Sequence, residues 1–272
     1  MMLERLIHHF VPPALSAPSL WGKLPCFGDF VHQSVQMQDM DAWQTWFMRH
    51  PIQELNNYDS ALCLQAPMTS SSAGWLHLNI DQRTNQAHPQ PWCFVIPAGV
   101  FLPTPHLPAE RAVVGVFANS CDQVGRMHPV VIWQSVQTDL NDVLAQPKNW
   151  LFWLAQLLQS HTPPFSTPNA PNKKSTLSAQ LTDMWACAQA SMVRAPLGLF
   201  RKDLPDMALS KIIEQGFSVG TSLVGAHSES MRGVAQLPWL SWSELGHHGY
   251  FWQQATNGEY INAVKLPLGH TP

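Results

Sequence analysis

The stretch AVVGVFANSCDQVGRMHPVVIWQ, residues 112–134, decides much of the fold, because it sets two apolar runs on either side of a short polar segment. Residues 112–118 and 130–134 are near-continuous apolar runs of strand length, which is typical of strands buried on both faces. The segment between them contains turn-forming residues and one glycine, Gly125, that can adopt backbone conformations other residues resist. The stretch therefore predicts a strand, a charged loop and a second strand.

A second informative stretch, WGKLPCFGDF, covers residues 21–30 and places a carboxylate directly after a glycine. Pro25 and Gly28 predict a turn, and the side chain of Asp29 can accept backbone N–H bonds there. Only 12% of the residues are charged, against about a quarter in ordinary domains. Isolated charges such as Asp29 and Arg126 therefore call for an explanation.

Arg126 carries a planar guanidinium that suits a bidentate carboxylate partner. Asp122 is close to it in sequence, and Asp29 is far away. We hypothesise that Arg126 contacts one of these two carboxylates and ties the two stretches together. Ordinary turn chemistry remains the other interpretation of Asp29.

Other segments predict a sequence of helices and strands. A helical pattern covers residues 39–50, a loop with three prolines covers 99–110, and a strongly apolar helix follows Pro147. A second amphipathic helix contains residues 177–188. The strand-like segments outside the opening stretch are 61–65, 75–80, 92–96, 217–224, 249–253 and 260–266.

The composition of residues 159–176, rich in Pro, Ser, Thr and Asn, predicts a linker or long loop. We therefore expect an amino-terminal domain over 1–158. Residues 177–272 would form either a separate small domain or the completion of one sheet.

The overall composition argues against several protein classes. A net charge of −3 with 15 scattered basic residues offers no basic stripe for nucleic acid. Five dispersed cysteines without a C-x-x-C pair indicate neither a disulfide framework nor a zinc site, and no other metal or cofactor is expected. Because no apolar run reaches the roughly 20 residues that span a bilayer, and the first residues do not resemble a signal peptide, we expect a cytoplasmic protein.

No catalytic motif is recognisable, and no catalytic residue is predicted. The adjacent pairs His8–His9 and His247–His248 point apart if they lie on strands, so neither predicts a metal site. One alternative stays open: a small-molecule or hydrolytic site around Ser120, Asp122, Arg126 and His128.

Both stretches resemble the TagF (ImpM) family of bacterial type VI secretion-associated proteins, which show a pattern like G-K-L-P-x-x-G-D-F-V and, later, G-V-x-x-P-S-x-D-x-x-G-R-x-F-P-L. The matching residues of the first pattern are Gly22, Lys23, Leu24, Pro25, Gly28, Asp29, Phe30 and Val31. Those of the second pattern are Gly115, Val116, Ser120, Asp122, Gly125, Arg126 and Pro129. Asn119, His128 and Val130 depart from it, which alters packing more than the Gly, Asp and Arg skeleton.

The resemblance implies an α/β fold with a mixed β-sheet flanked by helices, sandwich-like, and a smaller carboxy-terminal α+β part. It also implies a non-enzymatic regulator that represses the secretion system post-translationally, in some systems through a scaffold protein with a forkhead-associated domain. Self-association is left open.

The motif residues have two possible roles under this resemblance. They are Lys23, Pro25, Gly28, Asp29, Phe30, Ser120, Asp122, Gly125 and Arg126. Either they lie at the partner contact, or they define the fold as buried pairs while exposed tryptophans or the carboxy-terminal part bind the partner.

Overall fold

The structure is a computed structural model that describes residues 15–49, 90–101, 103–137, 150–162, 174–192, 248–255 and 260–268. The strands are β1 (Ser19–Gly22), β2 (Val31–Gln33), β3 (Trp92–Ile96), β4 (Val113–Ala118), β5 (Val130–Ser135), β6 (His248–Gln254) and β7 (Tyr260–Pro267). The helices are α1 (Met37–Arg49), α2 (Trp150–His161) and α3 (Lys174–Met192).

The strands form one seven-stranded sheet in the order β2-β1-β5-β4-β3-β6-β7. Each of its six pairings is antiparallel. The α/β fold with a sheet and flanking helices is therefore confirmed. The resemblance implied a mixed sheet, whereas the described pairings are all antiparallel.

Side chains alternate between two apolar layers, as the period of a strand requires. In β5, Val130 and Ile132 join the layer that packs on α2 and α3. Val131 and Trp133 join the other layer, which packs on α1. The central strands are buried on both faces because helices cover both, which explains their near-continuous apolar sequence.

Helix α1 covers its face of the sheet with a tight aromatic cluster. Trp43 is fully buried, and its ring centroid lies 5.4 Å from that of Trp133 and 5.6 Å from that of Phe94. The helix begins two residues before the predicted Asp39 and ends at Arg49. The early start follows from Gln36, whose N–H donates to Asp39 Oδ2 at 2.8 Å as an amino-terminal cap.

The strands at the centre of the sheet lie where the sequence predicts them. β3 has the predicted bounds, and β4 and β5 differ from the predicted runs by one residue each. The helices predicted after Pro147 and over 177–188 are confirmed as α2 and α3. The strands predicted over 61–65, 75–80 and 217–224, and the pair His8–His9, lie outside the described residues.

The carboxy-terminal strands extend the same sheet, since β6 pairs with β3 and β7 pairs with β6. Helix α2 ends at His161 and α3 begins at Lys174, so both overlap the ends of the predicted linker 159–176. The division into domains over 1–158 and 177–272 stays a prediction. No helix within the described ranges has the length and apolarity that crossing a membrane requires.

Candidate functional site

The two sequence stretches meet because β1 lies between β2 and β5 in the sheet. The β1–β2 connection, residues 23–30, and the β4–β5 connection, residues 119–129, both leave the sheet next to the pair Gly22 and Val130. Gly22 has a φ of +140°, and a Cβ at this position would lie 2.3 Å from the carbonyl oxygen of Pro129. Only glycine permits this close approach.

The β4–β5 connection continues the hairpin for a few residues before it turns. Cys121 and Met127 form an antiparallel bridge, and the N–H of His128 donates to the carbonyl of Ser120 at 3.0 Å. Gly125 closes the turn with a φ of +85°, and its N–H donates to the carbonyl of Asp122 at 3.0 Å. We call residues 119–129 the Arg126 loop. The backbone conformation of this loop requires a glycine at position 125.

The Asp122 carboxylate organises the Arg126 loop from inside. Its Oδ1 accepts the backbone N–H groups of Val124, at 3.1 Å, and of Arg126, at 2.8 Å. Its Oδ2 accepts Lys23 Nζ at 2.9 Å and Arg126 Nε at 2.6 Å. Asp122 is 2% exposed, so both of its oxygens are satisfied by protein donors.

The pKa of Asp122 follows from these donors. Burial by itself would raise the pKa, but the hydrogen bond from Lys23 and those from Arg126 and Val124 lower it. The sum holds the pKa of this carboxyl well below its ordinary value. Asp122 is therefore ionised at neutral pH and anchors two cations.

Of the two cations that donate to Asp122, Lys23 is the buried one. Its residue is 8% exposed, and Nζ also lies 5.2 Å from the centroid of the Phe30 ring. Phe30 stacks on Trp21 with ring centroids 5.4 Å apart. Lys23 thus connects the charged group to the aromatic layer on the α1 face.

Arg126 bridges the two stretches as hypothesised, and the carboxylate that it contacts is Asp122. Its Nη2 also donates to the carbonyl of Gly28 at 2.9 Å, in the other stretch. Asp29 is exposed, and its Oδ1 accepts the N–H of Phe30 at 2.8 Å. Asp29 therefore serves as a turn carboxylate, and of the two candidate partners of Arg126 the structure selects Asp122.

The remaining motif residues shape the β1–β2 connection. A turn that contains Pro25 is closed by the N–H of Phe27, which donates to the carbonyl of Leu24 at 3.0 Å. The carbonyl of Phe27 accepts the N–H of Gln123 at 2.8 Å. This backbone contact, which sequence reasoning did not find, holds the two connections together independently of the charges.

The residues of the alternative hydrolytic site do not form a relay. His128 Nδ1 lies 2.6 Å from the carbonyl oxygen of Pro129, and Nε2 lies 2.9 Å from Gln44 Oε1. Neither nitrogen contacts Ser120 or Asp122. The Ser120 hydroxyl is buried and has no hydrogen-bond partner in the part of the chain that the structure describes.

His128 belongs to the aromatic packing instead. Its ring lies edge-on to Trp21 and to Phe30, with centroids 4.7 Å away in both cases. Burial lowers the pKa of His128, the carbonyl of Pro129 raises it, and the charge of Lys23 lowers it, with a net lowering. The sequence carried no signal for its contact with Gln44, because that contact depends on how α1 crosses the sheet.

A second buried carboxylate lies on the same face. Asp39 Oδ2 is 2.8 Å from His106 Nδ1, and Oδ1 accepts the His106 N–H at 3.1 Å and the Thr104 hydroxyl. These bonds fix the loop 103–107 to the start of α1. Across the described ranges, no cluster of three or more His, Cys, Asp or Glu side chains could hold a metal ion.

The family model of the TagF N-terminal domain, type VI secretion system-associated, matches residues 61–174 of the chain. This match includes β3, β4, β5, α2 and the Arg126 loop, and it begins after the 21–30 stretch. No curated protein matches the chain.

Among solved structures, PA0076 from Pseudomonas aeruginosa PAO1 is similar to this chain, with 18% identity and a TM-score of 0.42. The similarity covers 93% of this chain and 89% of that protein.

Proposed function

We propose, from the match of residues 61–174 to the TagF N-terminal domain of type VI secretion-associated proteins, that this chain is a cytoplasmic, non-enzymatic regulator of that system. In this proposal the protein represses secretion after translation by binding a scaffold component, such as one with a forkhead-associated domain. The observation that carries the proposal is the family match over residues 61–174.

The geometry of the Arg126 loop supports a binding role over a reactive one. Lys23 and Arg126 both donate to Asp122, and Lys23 and Asp122 are buried, so the carboxylate has no free oxygen for chemistry. The side chain of Arg126 is 64% exposed. Its neighbours Val124 and Met127 are 69% and 56% exposed. A cation among exposed apolar side chains is typical of a contact surface.

The motif residues then divide between the two roles that the sequence left open. Lys23 and Asp122 act as internal struts, and Gly125 gives the loop its shape. Arg126, and with it the exposed Asp29, lie where a partner could reach them. The division assigns the contact to the Arg126 loop without any catalytic group.

Repression in this proposal works by mass action. A protein that occupies the scaffold lowers the amount of scaffold available for assembly, and the effect grows with the ratio of its concentration to the dissociation constant. Repression should therefore increase gradually with the amount of protein. An enzyme that modified the scaffold could instead repress at a small fraction of the scaffold concentration.

Secretion assays in the native host test this function. Deleting the gene should increase the secreted proteins of the system in the supernatant, and graded expression should decrease them in proportion. Arg126→Gln should weaken repression, whereas Lys265→Gln, which removes the same charge from the edge strand β7, should not. Unchanged secretion in the deletion strain and at every expression level would contradict the proposal.

A further inference from the structure

We infer that the Arg126 loop binds an acidic side chain of the partner protein, with an Asp or Glu carboxylate on the Arg126 guanidinium and apolar residues beside it on Val124 and Met127. This inference rests on the proposed function, because it assigns the chemistry of the partner at the surface through which the regulator would act.

The guanidinium of Arg126 keeps donors for a partner. Arginine has five N–H groups, of which Nε–H donates to Asp122 and one on Nη2 donates to Gly28. The other three have no partner among the residues that the structure describes. A carboxylate that approaches from solvent can accept two parallel bonds from such a fork.

The two engaged donors also prepare the side chain for binding. They hold the guanidinium at both Nε and Nη2, at 2.6 Å and 2.9 Å from their acceptors. A long side chain fixed before binding loses less conformational entropy when the partner arrives. Arginine held in this way is a common centre of binding energy in interfaces.

Exposed apolar side chains share the Arg126 loop with the cation. Four large hydrophobic side chains are markedly exposed in the described part of the chain: Met37, Met48, Val124 and Met127. Met127 follows Arg126 in the loop, and Val124 precedes it by two residues. Met48 lies one turn of α1 beyond Gln44, which contacts the neighbouring His128 at 2.9 Å. Such a rim excludes water from a charged bond and strengthens it.

The charges of the group favour an anionic partner. Lys23 and Arg126 share one carboxylate, so the group of three has a net charge of +1, and Arg126 is its exposed member. The exposed Asp29 keeps its own negative charge, and its Oδ1 accepts the N–H of Phe30 rather than a donor of Arg126. A second copy of this chain is the rival occupant, because it would present its own exposed Asp29.

Photo-crosslinking in the native host identifies the occupant and its chemistry. p-Benzoylphenylalanine replaces Met127, and Lys265 on β7 serves as the distant control position. The crosslinker at position 127 should form an adduct with a secretion component. The crosslinked peptide of that component should contain Asp or Glu among apolar residues. The Lys265 position should give no such adduct.

A matched pair of substitutions then tests the sign of the charge without touching the Asp122 group. Only the backbone N–H of Val124 bonds to Asp122, so its exposed side chain can be changed. Val124→Glu should lower the adduct yield about tenfold through like-charge repulsion, and Val124→Lys should raise it. The opposite order of the two variants would overturn the inference.

The failure of this inference is distinguishable from the failure of the proposed function. If the protein still represses secretion but Met127 gives no adduct, or gives one to a peptide without a carboxylate or to the chain itself, the acidic-partner inference is wrong and the regulator role remains. If the protein does not change secretion, the proposed function fails and this inference fails with it.

Discussion

Lys23 Nζ lies 2.9 Å from Asp122 Oδ2, and the two residues are 99 positions apart in the chain. The bond fastens the Arg126 loop to the end of β1. Because Arg126 Nε donates to the same oxygen at 2.6 Å, the position of the exposed guanidinium depends on this buried contact. Stability and presentation of the surface are therefore coupled through Asp122.

Removing the buried cation should destabilise the fold. Lys23→Met keeps the length and apolar stem of the side chain but leaves Asp122 Oδ2 with Arg126 alone. We expect the free energy of unfolding to fall by about 1–3 kcal/mol, as for the loss of one charged hydrogen bond. Urea denaturation measures it. Lys265→Met, at an exposed position on β7, is the control, and an equal change in both variants would contradict the strut role of Lys23.

Acid should destabilise the protein through its two buried carboxylates. Hydrogen bonds hold the pKa values of Asp122 and Asp39 below the ordinary 3.8. The unfolded chain therefore binds more protons in this range, so the stabilisation is complete above about pH 5 and is lost as the pH falls through the folded pKa values.

Substitution of Asp122 tests this pH dependence. In Asp122→Asn, the free energy of unfolding should be lower at pH 7 and should decrease less steeply below about pH 4 than in the wild type. Urea denaturation at a series of pH values measures both. An identical slope in the two proteins would show that Asp122 does not contribute.

Substitutions of Gly125 and of Gly22 should destabilise the fold for different reasons. A Cβ on Gly125 meets nothing within 4 Å, so only its φ of +85° matters. Gly125→Asn should be nearly neutral, because asparagine tolerates this conformation, and Gly125→Val should cost about 1–2 kcal/mol.

At Gly22, the same kind of substitution meets backbone. Even Gly22→Ala would place a Cβ 2.3 Å from the Pro129 carbonyl, so we expect it to be more destabilising than Gly125→Val. Thermal unfolding ranks the three variants. A lower melting temperature for Gly125→Val than for Gly22→Ala would contradict the close approach of β1 and the Arg126 loop.

Asp39 should hold the loop 103–107 against α1. Asp39→Ala strands the N–H groups of Gln36 and His106 and the hydroxyl of Thr104. We expect a loss of about 1–3 kcal/mol in the free energy of unfolding. Thr104→Val removes one of these bonds and should cost less. Limited proteolysis should find the loop cleaved faster in Asp39→Ala, and equal cleavage in the two variants would contradict this role.

Much of the sheet is predictable because its strands are buried on both faces. The apolar runs at 92–96, 112–118 and 130–134 predict β3, β4 and β5 by their length and composition alone. The three-residue strand β2 is too short for a periodic pattern, and only its pairing with β1 defines it. The relative directions of the strands also depend on their pairing, so the local sequence does not predict them.

The candidate site was predictable in its residue types but not in its pairings. The two stretches contain every member of the Lys23, Asp122 and Arg126 group. Arg126 stands out as an isolated charge and Asp122 as its neighbour in sequence, whereas Lys23 enters through the family resemblance. The choice between Asp29 and Asp122 as the partner of Arg126 depends on the bridge between Cys121 and Met127, which folds the loop back on itself. The same fold leaves Val124 and Met127 exposed, which composition cannot reveal.

Equilibrium titration of the purified protein with the secretion scaffold tests the central claim most directly. We predict saturable binding that Val124→Glu weakens while the thermal stability of the protein stays at its wild-type value. A folded protein that shows no binding to the scaffold at any concentration would contradict the account.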